Sequence, residues 1–357
     1  MRIVMNRFYK YFSVSILWSV LVFGGTVAFS TCSKRSERVL HLYNWTYYTP
    51  DSVIKAFEKK YNAKVVYDDY ASNEDMFAKM MAGSKGYDLV VPSADYVSIM
   101  IKLNMLEHID ITKIPNIRYI RQTVLDRISY DPTMAFSVPY YMGAAGIAVN
   151  TQIVPNYERS WHIFERKDLN NRMTMMDDMR EVLGAALAVL GYDINTAHSE
   201  ELEQAYRLIQ DKWKPNLVKF DADGFAKSFA SGDFLVVHGY AESVFAELQD
   251  EQLPHVDFFI PRGVHSALYI DSFCIPKGAP NPDLAHAFIN FMLEPDVYAQ
   301  FLDEFGFPSS IHTAAEKYQT RQPHYTVDDL RDCVLKQDLG ENLETYTGYW
   351  QNIRFTP

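Results

Sequence analysis

From residue 39 onward, short apolar runs alternate with amphipathic stretches, and no other feature limits the choice of fold as sharply. Residues 39–43, 64–67 and 87–92 read as strands. Between the first two, Asp51–Tyr61 sets Val53, Ile54, Phe57 and Tyr61 on one face at helical spacing. Asn73 reads as the N-cap of a helix running to Gly83. Residues 96–103 read as a helix closed by Asn104, in the left-handed region that Asn tolerates. This alternation predicts an α/β protein with a largely parallel sheet and helices on its faces. Ligands of such sheets bind beyond the carboxyl ends of the strands, so Trp45 and Ser93, each just past a strand, fall on the binding rim.

The rest of the chain keeps the same style. Residues 136–150, with Gly143 and Gly146, read as a strand pair that leaves the first lobe. Helices are expected over 181–190 and 200–213, strands over 234–239 and 256–260, and a return crossing over 268–276. Two more helices, 282–293 and 296–304, follow. A chain of 357 residues is too long for one small core and suits two lobes. No repeat and no Gly-, Ser- or Pro-rich linker divides it, so two chain crossings between lobes, with a cleft between them, are predicted. The expected boundaries are 33–142 plus 271–314 for lobe 1, and 143–270 plus 315–357 for lobe 2.

The first 32 residues have a different purpose. Arg2, Arg7 and Lys10 precede a nearly uncharged apolar run over 11–29, which ends in Ser30, Thr31 and Cys32. That order reads as a lipoprotein-type signal peptide over 1–32 with Cys32 as the candidate lipidated residue; an uncleaved membrane anchor is the alternative. Either way residues 33–357 are expected outside the cytoplasm, tethered to a membrane. Only Cys274 and Cys333 follow, too few for a disulfide framework, and Cys274 reads as a small buried hydrophobe. With 45 acidic against 34 basic residues the chain carries −11, which speaks against a nucleic-acid partner and is compatible with a cationic ligand.

Residues 42–50 hold one Trp and three Tyr between a strand and a helix. Aromatic faces at a loop mouth can wall a box for an organic cation, because the ring quadrupole attracts an ammonium; Trp45 and Tyr48 would equally serve as core or sheet-edge aromatics. Tyr240 and Tyr269, at the ends of apolar strands, are further candidate walls or half-buried sheet residues. Asp178 and Glu181 have the spacing of a capping box, yet a charged pair at a helix N-terminus can still accept hydrogen bonds from an ammonium, with Arg180 partnering one carboxylate. Asp271 lies inside an apolar run, where an acid needs a partner; a ligand ammonium, a Ser hydroxyl or backbone amides would each supply one. There is no Gly-x-Ser-x-Gly, phosphate loop or dinucleotide fingerprint in a convincing setting. His41, His238, His255 and His265 are scattered without metal-ligand spacing, as surface or satisfied core residues would be. No cofactor, metal or catalytic residue is expected.

The strings Tyr43-Asn-Trp-Thr, Tyr70-Ala-Ser-Asn-Glu-Asp-Met, Tyr87-Asp-Leu-Val-Val-Pro-Ser, Val138-Pro-Tyr, Asp177-Asp-Met-Arg-Glu-Val-Leu and Asp271-Ser occur in this order. Together they resemble the spermidine/putrescine-binding proteins of bacterial polyamine ABC transporters, over nearly all of the chain beyond the signal. The resemblance implies the two-lobed, type II periplasmic-binding-protein fold, ligand capture between closing lobes, and delivery to an ABC permease by a monomer. It implies that Trp45, Tyr48, Tyr240 and Tyr269 line an aromatic box. It further implies that Asp178, Glu181 and Asp271 each meet an ammonium, with Arg180 and Ser93 in support. Three carboxylates suit a trication such as spermidine better than putrescine. The chain departs from the family at several positions: Tyr240 and Tyr269 stand where Trp is usual, Tyr47 replaces a frequent acid, and Asp95 falls where a Tyr is common. Lys336 aligns with a Gln contact and, being repelled by a polycation, is expected to point away. The alternatives are receptors for cadaverine, agmatine or ferric ion, a sensor or adhesin, and an extracellular hydrolase using Asp178 and Glu181.

Overall fold

The computed structural model describes residues 38–46, 48–83 and 85–356. The signal peptide with Cys32, and Tyr47, lie outside the described residues. The strands are β1 (Arg38–Trp45), β2 (Ala63–Tyr70), β3 (Leu89–Val90), β4 (Ser137–Gly143), β5 (Gly146–Asn150) and β6 (Met173–Met175). They continue with β7 (Leu217–Phe220), β8 (Val236–Gly239), β9 (Val256–Phe259), β10 (Ala267–Cys274) and β11 (Val334–Leu335). One sheet runs β11-β10-β3-β1-β2 with β4 also on β10, and the other runs β7-β6-β8-β5-β9.

Both sheets are mixed, not largely parallel as the alternation predicts. β1 and β3 are parallel, with Leu42 opposite Leu89, and β6 is parallel to both neighbours. β10 instead runs antiparallel to β3 and β4, and β5 antiparallel to β8 and β9. β4 passes through residues 144–145 straight into β5 of the other sheet. Gly143 and Gly146 flank that passage. A Cβ on Gly143 would lie 2.5 Å from the Tyr269 hydroxyl, and one on Gly146 would lie 2.6 Å from the Phe259 carbonyl oxygen.

The helices are α1 (Asp51–Tyr61), α2 (Asn73–Met81), α3 (Ala94–Lys102), α4 (Gln122–Leu125), α5 (Met179–Val189) and α6 (Ser199–Leu208). After them come α7 (Phe225–Ala230), α8 (Ala241–Glu247), α9 (Pro282–Met292), α10 (Pro295–Phe305) and α11 (Leu343–Phe355). α1 buries Val53 and Phe57, as its periodicity predicts. Asn104 takes φ 55°, the left-handed conformation expected of it. Ser72, not Asn73, caps α2, its Oγ accepting from the Asp75 amide at 3.1 Å. The stretch 200–213 changes from α-helix to a π turn after Leu208, which turns Ile209 and Trp213 into the core. Cys274 and Cys333 are buried and free.

Only two residues of the 87–92 run form a ladder. Past Val90 the backbone is occupied otherwise. The Val91 carbonyl accepts the Trp45 indole N–H at 2.9 Å and the Tyr70 hydroxyl at 2.6 Å, and the Pro92 carbonyl accepts the Ser272 amide at 3.0 Å. The strand therefore ends early and releases Ser93 toward β10.

Candidate functional site

Asp271 lies on β10 at a register irregularity between Asp271 and Ser272. Such a bulge re-aims a side chain, and this one turns the carboxylate to the rim, 4 % exposed. There the Tyr48 hydroxyl donates to Oδ2 at 2.8 Å and the Ser93 hydroxyl donates to Oδ1 at 2.6 Å. Asn73 fixes Ser93 from the other side: its Nδ2 donates to Oγ and its Oδ1 accepts the Ser93 amide, each at 3.1 Å. Burial nevertheless pushes the Asp271 carboxyl up to about 6, against the pull of both hydroxyls and of Lys336. Two neutral donors do not replace the hydration that a buried carboxylate loses.

Glu242, in the first turn of α8, joins this end of the site. Burial pushes its carboxyl up to about 7, and the negative Asp271 adds to the shift. Tyr240, at the head of α8, meets Tyr269 of β10 edge to face, with ring centroids 5.7 Å apart. Burial holds the hydroxyls of Tyr48, Tyr240 and Tyr269 well above the ordinary tyrosine range, so all three are neutral. Tyr48 packs edge-on against Tyr140 and Phe301.

The second end of the site forms around the N-terminus of α5. Asp178 caps the helix, its Oδ1 accepting the Glu181 amide at 3.0 Å. The reciprocal half of a capping box is replaced by an ion pair, in which Lys336 Nζ donates to Glu181 Oε1 at 2.6 Å. Lys336 does not point away: it is 8 % exposed and faces inward. Burial opposes its charge, but Glu181, Asp178 and Asp95 together raise its affinity for the proton above the ordinary lysine value. Attraction to three carboxylates holds the ammonium inside. Asp95, in the first turn of α3, is also buried, and burial raises its carboxyl although Lys336 and Arg180 pull the other way. Glu74 belongs to the same neighbourhood; burial raises its carboxyl, with Asp178 and Asp95 contributing.

Among the described residues Arg180 does not pair with a carboxylate as expected. Its guanidinium donates to Asn195 Oδ1 at 2.7 Å and to the Gln337 carbonyl at 2.9 Å, and it lies over the Tyr346 ring. His238 is wholly buried yet neither ring nitrogen has a hydrogen-bond partner among the described residues, so it is not the satisfied core histidine expected. Burial drives it down to about 3, which keeps it neutral.

The residues 52–326 match the family model of the bacterial extracellular solute-binding proteins. The chain belongs to that family. This solute-binding protein is 32% identical over 333 residues to a spermidine/putrescine-binding periplasmic protein of Salmonella typhimurium, covering 91% of this chain and 94% of the relative. It is 30% identical over 309 residues to the putrescine-binding periplasmic protein PotF of Escherichia coli, with 82% and 83% covered. Among solved structures it is similar to the TpPotD lipoprotein of Treponema pallidum, at 63% identity and TM-score 0.88, over 89% of this chain and 99% of that one. The fold is the two-lobed, type II periplasmic-binding-protein fold.

In this binding protein Tyr48, Ser93, Asp271, Tyr269 and Tyr240 come together at one end, and Asp95, Asp178 and Glu181 at the other. The two ends feel each other: both Lys336 and Asp95 act on Asp271, and Asp178 and Glu181 act on Tyr240. Trp45 is half-buried against Tyr70, ring centroids 4.8 Å apart, with its indole N–H committed to Val91. Sequence reasoning missed Glu242. Its signal was available, since it opens a helix two residues after the strand-end Gly239–Tyr240 pair, the same rim position that singles out Trp45 and Ser93.

Proposed function

We propose that this chain is an extracytoplasmic polyamine receptor, tethered through Cys32, that closes on spermidine or putrescine and delivers it to an ABC permease. The observation that carries the reading is Asp271. It is a buried carboxylate held by two hydroxyls and raised by burial, beside a second raised carboxylate and two perpendicular tyrosine rings. A primary ammonium fits that arrangement. It donates up to three charge-assisted hydrogen bonds, and a cation over an aromatic face gains about 0.5–2 kcal/mol. The names of the relatives support the same ligand class.

The competing hydrolase chemistry fits less well. A hydrolase needs a free acid and base, whereas Glu181 is tied to Lys336 and Asp178 to the head of α5. The ligand leaves chemically unchanged. Calorimetric titration of residues 33–357 with spermidine and putrescine, beside an Asp271→Asn variant, tests the reading. Stoichiometric binding lost in the variant is expected, and no heat from either amine would overturn it.

A further inference from the structure

We infer that Lys336 is a built-in ammonium that fills the Glu181 position of the cleft, so that the site selects a diamine over a triamine. The inference rests on the polyamine reading above and narrows it. Of the three carboxylates that a trication would meet, Glu181 already holds a cation at 2.6 Å, buried with it. Of that set, Asp178 and Asp271 remain open to a ligand ammonium.

The lysine is held in that place by its backbone. The segment 335–337 is bonded at each residue: the Leu335 carbonyl accepts Asn195 Nδ2 at 3.0 Å, the Lys336 amide donates to the Leu268 carbonyl at 2.9 Å, and the Gln337 amide donates to Asn195 Oδ1 at 2.9 Å. Arg180 closes the clasp by bonding both Asn195 and the Gln337 carbonyl. One residue on, Asp338 pairs with Lys102 of α3 at 2.6 Å. Arg180 is thus a positioning residue for Lys336, which accounts for its failure to meet a carboxylate.

A tethered cation has a standing advantage over a dissolved one. It has no translational freedom to lose on docking, and its backbone is fixed already. A third ligand ammonium arriving at Glu181 must either displace Lys336, leaving one buried charge without its partner, or remain beside it as a like charge. A diamine that spans Asp178 and Asp271 meets neither obstacle.

The test is the ratio of putrescine to spermidine affinity, read by calorimetry on residues 33–357 and on Lys336→Gln. The unaltered protein is expected to favour putrescine, and Lys336→Gln to move the ratio toward spermidine by about tenfold or more. Because Lys336→Gln leaves Glu181 buried alone, the double variant Glu181→Gln/Lys336→Gln is measured beside it. That variant removes the cation and its partner together and is expected to stay folded without showing the gain for spermidine that Lys336→Gln shows. Equal affinity of the unaltered protein for both amines would overturn the inference, as would a ratio that Lys336→Gln leaves unmoved. Either result would leave the polyamine reading standing. No binding of either amine by the unaltered protein would overturn both.

Discussion

The Tyr48 hydroxyl and the Asp271 carboxylate, 223 positions apart in the chain, meet at 2.8 Å inside the buried rim. Tyr48 is therefore less a wall of the site than a support for its central anion. Tyr48→Phe keeps the ring packed on Tyr140 and Phe301 and removes only the donor. The loss is expected to lift the Asp271 carboxyl further and to destabilise the protein by about 1–3 kcal/mol, the cost of leaving a buried acceptor short of a partner. Denaturant unfolding at neutral pH measures the first-order effect, and a fall in amine affinity accompanies it.

The raised carboxyls give the binding protein a defined pH response. Asp271 at about 6 and Glu242 at about 7 hold protons in the folded, ligand-free protein that the unfolded chain has already released. Their contribution to stability is full below about pH 4 and is lost as pH rises through 6 to 7. Amine binding runs the other way, since it needs both carboxylates charged, so affinity is expected to rise across the same window. Titration near pH 6 in buffers of different ionisation enthalpy should show protons released on binding, and Glu242→Gln should reduce the number.

Arg180→Ala distinguishes a clasp from a carboxylate partner. As a clasp on Asn195 and Gln337, its removal is expected to loosen Lys336 and weaken discrimination between putrescine and spermidine. A partner of Asp178 or Glu181 would, if lost, change affinity for both amines alike. The affinity ratio from calorimetry separates the two outcomes.

At Gly143 a methyl group would meet the Tyr269 and Tyr325 hydroxyls at 2.5 and 2.9 Å. Gly143→Ala is expected to cost about 1–3 kcal/mol in stability, as overpacked interiors do. Because Tyr269 must shift to make room, amine binding should weaken as well. Unfolding curves and titrations on the same preparation check both.

Much of the architecture is readable from residue order alone. The period of α1, the left-handed Asn104 and the passage through Gly143 and Gly146 follow from local chemistry, and the structure reproduces them. What was not readable depended on distant partners. Asn73 looks like a helix cap, but its amide is engaged by Ser93, so Ser72 takes the capping role. The run 87–92 looks like a full strand, but side chains of Trp45 and Tyr70 occupy the Val91 carbonyl. The direction of Lys336 is set by Glu181, Asp178 and Asp95, three carboxylates far from it in the chain. Asp271 was legible as an acid in need of a partner, while the identity of that partner lay far away in the chain.

β10 begins beside β11, runs along β4 and ends beside β3, carrying Tyr269 and Asp271 at its middle. The strand that pairs with three others of its sheet thus also carries two of the candidate contacts, so a load on either residue is shared at once by β3, β4 and β11.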